Sequence, residues 1–170
     1  MVSIIMGSTS DLPVVRKAAD FLDNMGIAFE MHALSAHRTP EAVAVYAAAA
    51  GRRGVKVIIA AAGMAAALPG VIAAATPLPV IGLPVASTLD GVDALLSIVQ
   101  MPPAIPVATV GINAGLNAGV LAARILALGD ADLARRLAEY MSTLSQKVEK
   151  ADADLAAVAR EYKHAIVSPQ

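Results

Sequence analysis

Cysteine is absent from this chain of 170 residues, and aromatic residues make up only 3% of it. Without cysteine the chain can form no disulfide framework, thiolate nucleophile or cysteine-ligated metal site. An excess of either charge is also missing, since 13 basic and 14 acidic side chains leave a net charge of -1. Because these charges form no block and no aromatic residues are interleaved with them, nucleic acid is not an expected partner.

Signals for membranes and secretion are missing as well. The N-terminal segment MVSIIMGSTSD lacks the basic start and long apolar stretch of a secretion signal. Residues 57–89 carry no charge, but four prolines would break a membrane helix there. We therefore expect no membrane span and a cytoplasmic protein. With 57% hydrophobic residues in so short a chain, part of the surface is expected to be buried against other copies.

Apolar runs alternate with helical patterns along the chain. Strands are predicted at 2–7, 27–34, 55–62, 78–85 and 105–111, and helices at 11–25, 40–53, 68–75, 91–100 and 115–128. Continuous apolar runs are typical of parallel strands that helices cover on both faces. The alternation predicts one α/β domain over residues 1–170, with right-handed crossovers in a core that ends near 128. An interrupted helical tail is expected over about 130–163.

In such a sheet, ligands bind beyond the carboxyl ends of the strands, so the loops after the strands are the candidate site. Four loops qualify: GSTSD (7–11), SAHRT (35–39), GMAAALPG (63–70) and ASTLDG (86–91). The first loop offers hydroxyls and backbone amides that suit a phosphate monoester, although Ser10 or Asp11 can instead simply cap the next helix. Arg38 supplies a guanidinium fork that fits phosphate, and Asp11 can accept hydrogen bonds from ribose hydroxyls.

His37 is one of three histidines and the one that lies in a predicted ligand loop. A side chain that titrates near neutrality can both give and take a proton there, although a lone loop histidine is more often an ordinary turn residue. His32, inside a strand pattern, and His164, near the end of the tail, are expected to be structural or solvated. No metal is expected, because no second histidine or carboxylate has ligand spacing with His37.

Several segments together resemble the PurE family of purine biosynthesis, the N5-carboxyaminoimidazole ribonucleotide mutases. The resemblance covers nearly the whole chain in order, and SAHRTP with VQMPPAIPV is its most specific part. The resemblance implies a three-layer flavodoxin-like fold, a homo-octamer and no cofactor. It also implies a reaction that moves a carboxyl group from the exocyclic nitrogen to C4 of an imidazole ribonucleotide. The segments are MGSTSD, SAHRTPE, ALPGVIAA, PVIGLPV, SIVQMPPAIPVATVGI and NAGVLAARIL.

Carried onto this chain, the resemblance assigns the acid/base role to His37. One such group is enough, because the carbamate can lose carbon dioxide, C4 can attack it, and the proton is exchanged between nitrogen and carbon. The small apolar third loop is expected to supply a dry pocket for carbon dioxide. The implied substrate contacts are Ser8, Ser10, Asp11, Ser35, Ala36, Arg38, Gly63, Met64, Ala65 and Leu68.

The third loop departs from its relatives, which usually read GGAAHLPG. Met64 stands where they have glycine, and Ala67 stands where they have histidine. Two alternatives therefore stay open beside the mutase. One is direct carboxylation of aminoimidazole ribonucleotide with carbon dioxide, although Arg38 argues against that branch. The other is a ribonucleotide-binding protein that has lost catalysis.

Overall fold

The computed structural model describes residues 1–166, which contain five strands and six α-helices. The strands are β1 (Val2–Met6), β2 (Phe29–Ala33), β3 (Val57–Gly63), β4 (Val80–Val85) and β5 (Ala108–Thr109). The helices are α1 (Leu12–Asn24), α2 (Pro40–Ala50), α3 (Leu68–Ala75), α4 (Val92–Val99), α5 (Gly115–Ala127) and α6 (Ala131–Ala159). Short 3-10 turns cover Thr9–Asp11 and Gly51–Arg53.

The strands form one parallel sheet in the order β2-β1-β3-β4-β5. The chain runs from β1 outward to β2 and then returns to the other side of β1 to form β3. Strand order therefore reverses between β1 and β3, and ligands of open α/β sheets bind at the carboxyl edge of such a point. This strand order and the helices on both faces confirm the predicted three-layer, flavodoxin-like architecture.

Two apolar cores lie on opposite faces of the sheet. Neighbouring residues of one strand serve different cores, as Ile4 and Ile5 do, because successive side chains point to opposite faces. One core packs against α1, α5 and the start of α6, and the other packs against α2, α3 and α4. Burial on both faces explains why β1, β3 and β4 are apolar almost throughout, with Ser3 of β1 as the exception, rather than alternating.

The fifth strand and the C-terminal tail differ from the sequence-based expectation. Only Ala108 and Thr109 of the predicted 105–111 segment pair with β4. The tail was expected to be interrupted, and that expectation is wrong, because α6 is one helix of 29 residues. It contains neither glycine nor proline, and the Thr143 hydroxyl donates a hydrogen bond to the Tyr140 carbonyl at 2.7 Å within the helix. No helix within residues 1–166 is long and apolar enough to cross a membrane.

Candidate active site

A cavity of 530 Å³ lies at the carboxyl edge of the sheet, next to the point where strand order reverses. This volume is in the range of small-molecule sites. All eleven residues that the sequence singled out for catalysis or substrate binding line this cavity. Seven further lining residues were not named there as catalytic or substrate-binding: Gly7, Ala62, Ala66, Ala67, Val85, Ala86 and Ser87. Ala86 and Ser87 belong to the fourth loop, which the sequence had predicted as part of the site without naming individual residues of it.

The first loop forms the 3-10 turn that leads into α1. The Ser8 hydroxyl accepts a hydrogen bond from the Ser10 backbone amide at 3.3 Å and caps this turn. Asp11 makes no side-chain cap to α1, so its carboxylate is not used as a helix cap. It is only 9% exposed and accepts a hydrogen bond from the Ser10 hydroxyl at 3.3 Å. Burial raises the pKa of Asp11 above its ordinary value, although hydrogen bonds from Ser10 and Ser8 oppose the rise.

The second loop is tied to the first by Arg38. Its Nη2 donates to the Gly7 carbonyl at 2.7 Å, and its Nε donates to the Ser35 hydroxyl at 3.3 Å. The same hydroxyl accepts from the Arg38 backbone amide, and Thr39 bonds to both backbone groups of Ser35. The loop is therefore a compact turn that presents the exposed side chain of His37 at the cavity.

His32 lies outside this cavity. It is on β2, with its ring centroid 4.8 Å from that of Tyr46 on α2, and its Nε2 lies 3.6 Å from a Glu30 carboxylate oxygen. Tyr46 also donates a hydrogen bond to Glu30. Burial raises the pKa of Glu30, but hydrogen bonds from Tyr46 and Arg53 and the Arg53 charge together bring it below its ordinary value. These contacts attach the edge strand to α2.

The third loop is a tight apolar turn after β3. The Ala66 amide donates to the Gly63 carbonyl at 3.2 Å. Within this turn Met64 has a positive φ of +55°, whereas the φ of Ala65 is not positive. A φ in this range is unfavourable for a residue with a Cβ and favours glycine. A Cβ on Gly63 would lie 3.0 Å from the Val85 carbonyl oxygen, so the loop also approaches β4 closely.

The fourth loop is held by a residue that the sequence did not single out. The Asn113 side-chain oxygen accepts a hydrogen bond from the Ala86 amide at 2.9 Å. Asn113 itself has a φ of +56°, a conformation that asparagine adopts more readily than most residues. No local pattern marks this contact, because 27 residues separate its two ends.

The cavity is divided between a polar wall and an apolar wall. Hydroxyls, a carboxylate, an imidazole and a guanidinium come from the first two loops, whereas the other two loops contribute apolar residues, most of them small, and a single hydroxyl, that of Ser87. Such a cavity can bind an anionic, hydroxylated ligand at one side and exclude water at the other. No cluster of three or more potential metal ligands occurs in residues 1–166.

This fold and this divided cavity define an α/β protein with a candidate small-molecule site at the carboxyl edge of a parallel sheet. The model of the AIR carboxylase family matches residues 1–147, and the chain belongs to that family.

Relatives with two different names are similar to the chain. An N5-carboxyaminoimidazole ribonucleotide mutase from Thermotoga maritima is 55% identical over 88% of this chain and 89% of its own length. The corresponding mutase from Pyrococcus horikoshii is 53% identical, over 88% and 85%. A chloroplastic phosphoribosylaminoimidazole carboxylase from Vigna aconitifolia is 52% identical over 87% of this chain, which spans only 27% of that longer protein.

Solved structures show the same fold. The crystal structure of Treponema denticola PurE superposes with a TM-score of 0.81 at 32% sequence identity. The match covers 91% of this chain and 97% of the other. The flavodoxin-like arrangement is therefore that of a PurE protein.

Proposed function

We propose that this protein is an N5-carboxyaminoimidazole ribonucleotide mutase of purine biosynthesis. The observation that carries the proposal is similarity at 55% identity to a mutase over 89% of that enzyme's length. The reaction breaks the bond between the carboxyl carbon and the exocyclic nitrogen and forms a bond from that carbon to C4. Overall the substrate is isomerised, so the reaction needs no oxidant, reductant or second substrate.

Binding of the ribonucleotide is assigned to the polar wall. Arg38 uses one guanidinium donor on the Gly7 carbonyl and one on Ser35, which leaves its other donors for a phosphate. These two internal bonds hold the guanidinium in place before a ligand arrives, so little side-chain freedom is lost on binding. Ser8 and Ser10 add hydroxyls, and Asp11 can accept hydrogen bonds from the ribose.

Proton transfer is assigned to His37. When the carbamate loses carbon dioxide, the exocyclic nitrogen takes up a proton, and when C4 attacks carbon dioxide, C4 must lose one. A histidine beside the imidazole can perform both transfers, and its exposed position at the cavity leaves it free to reach the substrate. Ser35, Ala36, Gly63, Met64, Ala65 and Leu68 complete the proposed substrate contacts.

Direct carboxylation is the second candidate function. The relatives named phosphoribosylaminoimidazole carboxylase support it, since one of them is 52% identical to this chain. Ala67 leaves it open, because the polar group that the mutase resemblance implies at this position is absent. The mutase is favoured, since its named relatives match over most of their own length, whereas the carboxylase matches over 27%.

One assay separates these functions. Purified protein is given N5-carboxyaminoimidazole ribonucleotide in one reaction and aminoimidazole ribonucleotide with bicarbonate in another, and the 4-carboxy product is followed in both. The mutase predicts rapid product formation in the first reaction at substrate concentrations where the second is slow. Product from the second reaction alone would indicate the direct carboxylase. Ligand binding without turnover in either reaction would indicate an inactive homologue.

A homo-octamer in the cytoplasm is also part of the proposal. The octamer is implied by the family resemblance, and an exposed stripe on α6 supports self-association. The stripe consists of apolar residues whose spacing alternates between three and four, the pattern of a coiled-coil seam. Its members are Met141, Leu144, Val148, Ala151, Leu155 and Val158. In a parallel pair of these helices, Lys147 of one copy would lie near Asp152 of the other.

A further inference from the structure

Ser87 supplies the hydroxyl on the apolar wall of the cavity, and it is not among the proposed substrate contacts. It follows β4 in the fourth loop, and its Cβ lies 3.7 Å from the place that a Cβ on Gly63 would take. The other side chains with which the third and fourth loops line the cavity are apolar, including Ala67, where the resemblance implies histidine. A polar group of a ligand at this wall therefore has the Ser87 hydroxyl as its side-chain partner.

The fourth loop anchors Ser87 on both sides. Directly before it, the Ala86 amide donates to the Asn113 side-chain oxygen at 2.9 Å. Directly after it, the Thr88 hydroxyl donates to the Asp93 carboxylate at 3.1 Å. Within residues 1–166 these bonds leave the Ser87 hydroxyl itself free. A hydroxyl that is held in place and not used internally can bind a ligand at little cost in conformational freedom.

The same loop contains backbone strain. Leu89 and Asp90 have φ values of +50° and +53°, and Gly91 follows with +83°. Two successive left-handed residues with a Cβ are unfavourable, because each brings its Cβ close to the following carbonyl oxygen. The Gly91 amide nevertheless closes the turn by donating to the Thr88 carbonyl at 3.1 Å. Such strain concentrates at functional sites, which favours a role for this loop beyond connecting β4 to α4.

The order of the strands indicates which part of the ribonucleotide reaches Ser87. The phosphate is assigned to Arg38 and the first loop, beside β2 and β1, whereas Ser87 follows β4. Neighbouring strands lie about 4.8 Å apart, so β1 and β4, which have β3 between them, are about 10 Å apart. A ribose carries its phosphate and its base at opposite ends, so a phosphate at the first loop directs the base towards β4. The carboxyl group is the anionic group at that end.

We propose that Ser87 is a specificity-determining residue whose hydroxyl donates a hydrogen bond to a carboxylate oxygen at the base end of the ligand. This bond favours carboxylated nucleotides over aminoimidazole ribonucleotide, which has no carboxyl group to accept it. Hydrogen bonds to ionised groups are among the stronger ones in proteins. The inference rests on the proposed function for its ligand, the 4-carboxy nucleotide, which the mutase and the direct carboxylase both form.

The test compares two affinities by calorimetric titration of the purified protein. One ligand is the 4-carboxy product and the other is aminoimidazole ribonucleotide, so a general disturbance of the cavity cancels in their ratio. Ser87→Ala is expected to lower this ratio about tenfold or more, the usual effect of losing a hydrogen bond to a charged group. The loss should fall on the 4-carboxy product alone. Ser87→Thr, which keeps the hydroxyl, is expected to keep the wild-type ratio.

Thr88→Val is the matched control. It removes the neighbouring hydroxyl, which bonds to Asp93 and lies outside the cavity. This variant is expected to leave the affinity ratio unchanged. A wild-type ratio in Ser87→Ala, or an equal fall in Ser87→Ala and Thr88→Val, would overturn the role of Ser87.

The outcomes distinguish this inference from the function on which it rests. A wild-type protein that converts the N5-carboxy substrate, together with a wild-type affinity ratio in Ser87→Ala, would overturn the role of Ser87 alone. A wild-type protein that binds the 4-carboxy product but does not convert the N5-carboxy substrate would overturn the mutase, and a lowered ratio in Ser87→Ala would still support the role of Ser87. Binding of neither nucleotide would overturn both.

Discussion

His37 is the residue whose replacement most directly tests the chemistry. His37→Asn keeps a polar side chain at the exposed tip of the second loop but cannot transfer the proton. We expect ribonucleotide binding to persist while turnover falls by about a hundredfold or more, the usual contribution of general acid/base catalysis. Calorimetric binding and a steady-state rate assay measure the two effects. Near-normal turnover would remove His37 from the proposed proton transfer.

Asp11 is predicted to cost stability at neutral pH. Burial raises the pKa of its carboxyl group, so the folded state holds this proton to higher pH than the unfolded state does. Stability therefore falls as pH rises from the unfolded pKa through the folded one, and it stays lower above that window. Asp11→Asn should consequently unfold at higher urea concentration than wild type at pH 7, with the advantage shrinking as the pH falls below the raised pKa.

The exposed Asp20 provides the matched control for this experiment. Asp20→Asn should leave the urea midpoint nearly unchanged, at pH 7 and at lower pH alike, because an exposed carboxylate is solvated in the folded and the unfolded state. Equal midpoints for wild type and Asp11→Asn at pH 7 would contradict the prediction. A gain in stability accompanied by weaker ribonucleotide binding would fit a site residue retained for function rather than for folding.

At the scale of elements, the close packing of α1 against α5 depends on small residues. A Cβ added to Gly115, the first residue of α5, would lie 2.1 Å from the Val14 carbonyl oxygen of α1. The obstacle is backbone, so the helices must separate to accept it. We expect Gly115→Ala to lower the free energy of unfolding by about 1–3 kcal/mol, as overpacked substitutions do, even though alanine favours helix.

Gly129 is the control for that substitution. Nothing lies within 4 Å of a Cβ built on it, and its φ is not in the left-handed range. Gly129→Ala should change the free energy of unfolding by no more than about 0.5 kcal/mol. Urea denaturation of both variants measures the difference, and a Gly115→Ala protein as stable as wild type would show that α1 and α5 can move apart freely.

At the scale of the whole molecule, the exposed α6 stripe predicts how copies associate. Leu155→Asp places a charge within the stripe, where Leu155 is 67% exposed in the single chain. If the stripe is buried between copies, this charge should reduce the assembled mass measured by light scattering. Ala153→Asp adds the same charge to the opposite side of the same helix and should leave that mass unchanged. If Leu155→Asp kept the wild-type assembled mass, as Ala153→Asp should, the stripe would be excluded from the assembly.

Local sequence patterns predicted most of the elements and much of the site. Apolar runs located β1, β3 and β4, because a strand covered on both faces needs apolar residues throughout. The rule that parallel strands share a carboxyl edge brought Asp11, His37 and Arg38 into one predicted site before any contact was known. The fold class and the choice of loops were therefore determined by the sequence, since both depend on periodicity and order along the chain.

Tertiary structure decided what depends on distant partners or on backbone conformation. The bond from Arg38 to the Gly7 carbonyl spans 31 residues, and the Asn113 contact that holds the fourth loop spans 27. The positive φ of Met64 belongs to the turn that leads from β3 into α3, and the periodicity of apolar residues does not report it. Periodicity reports which residues are buried, whereas these features require knowledge of which atoms meet across the folded chain.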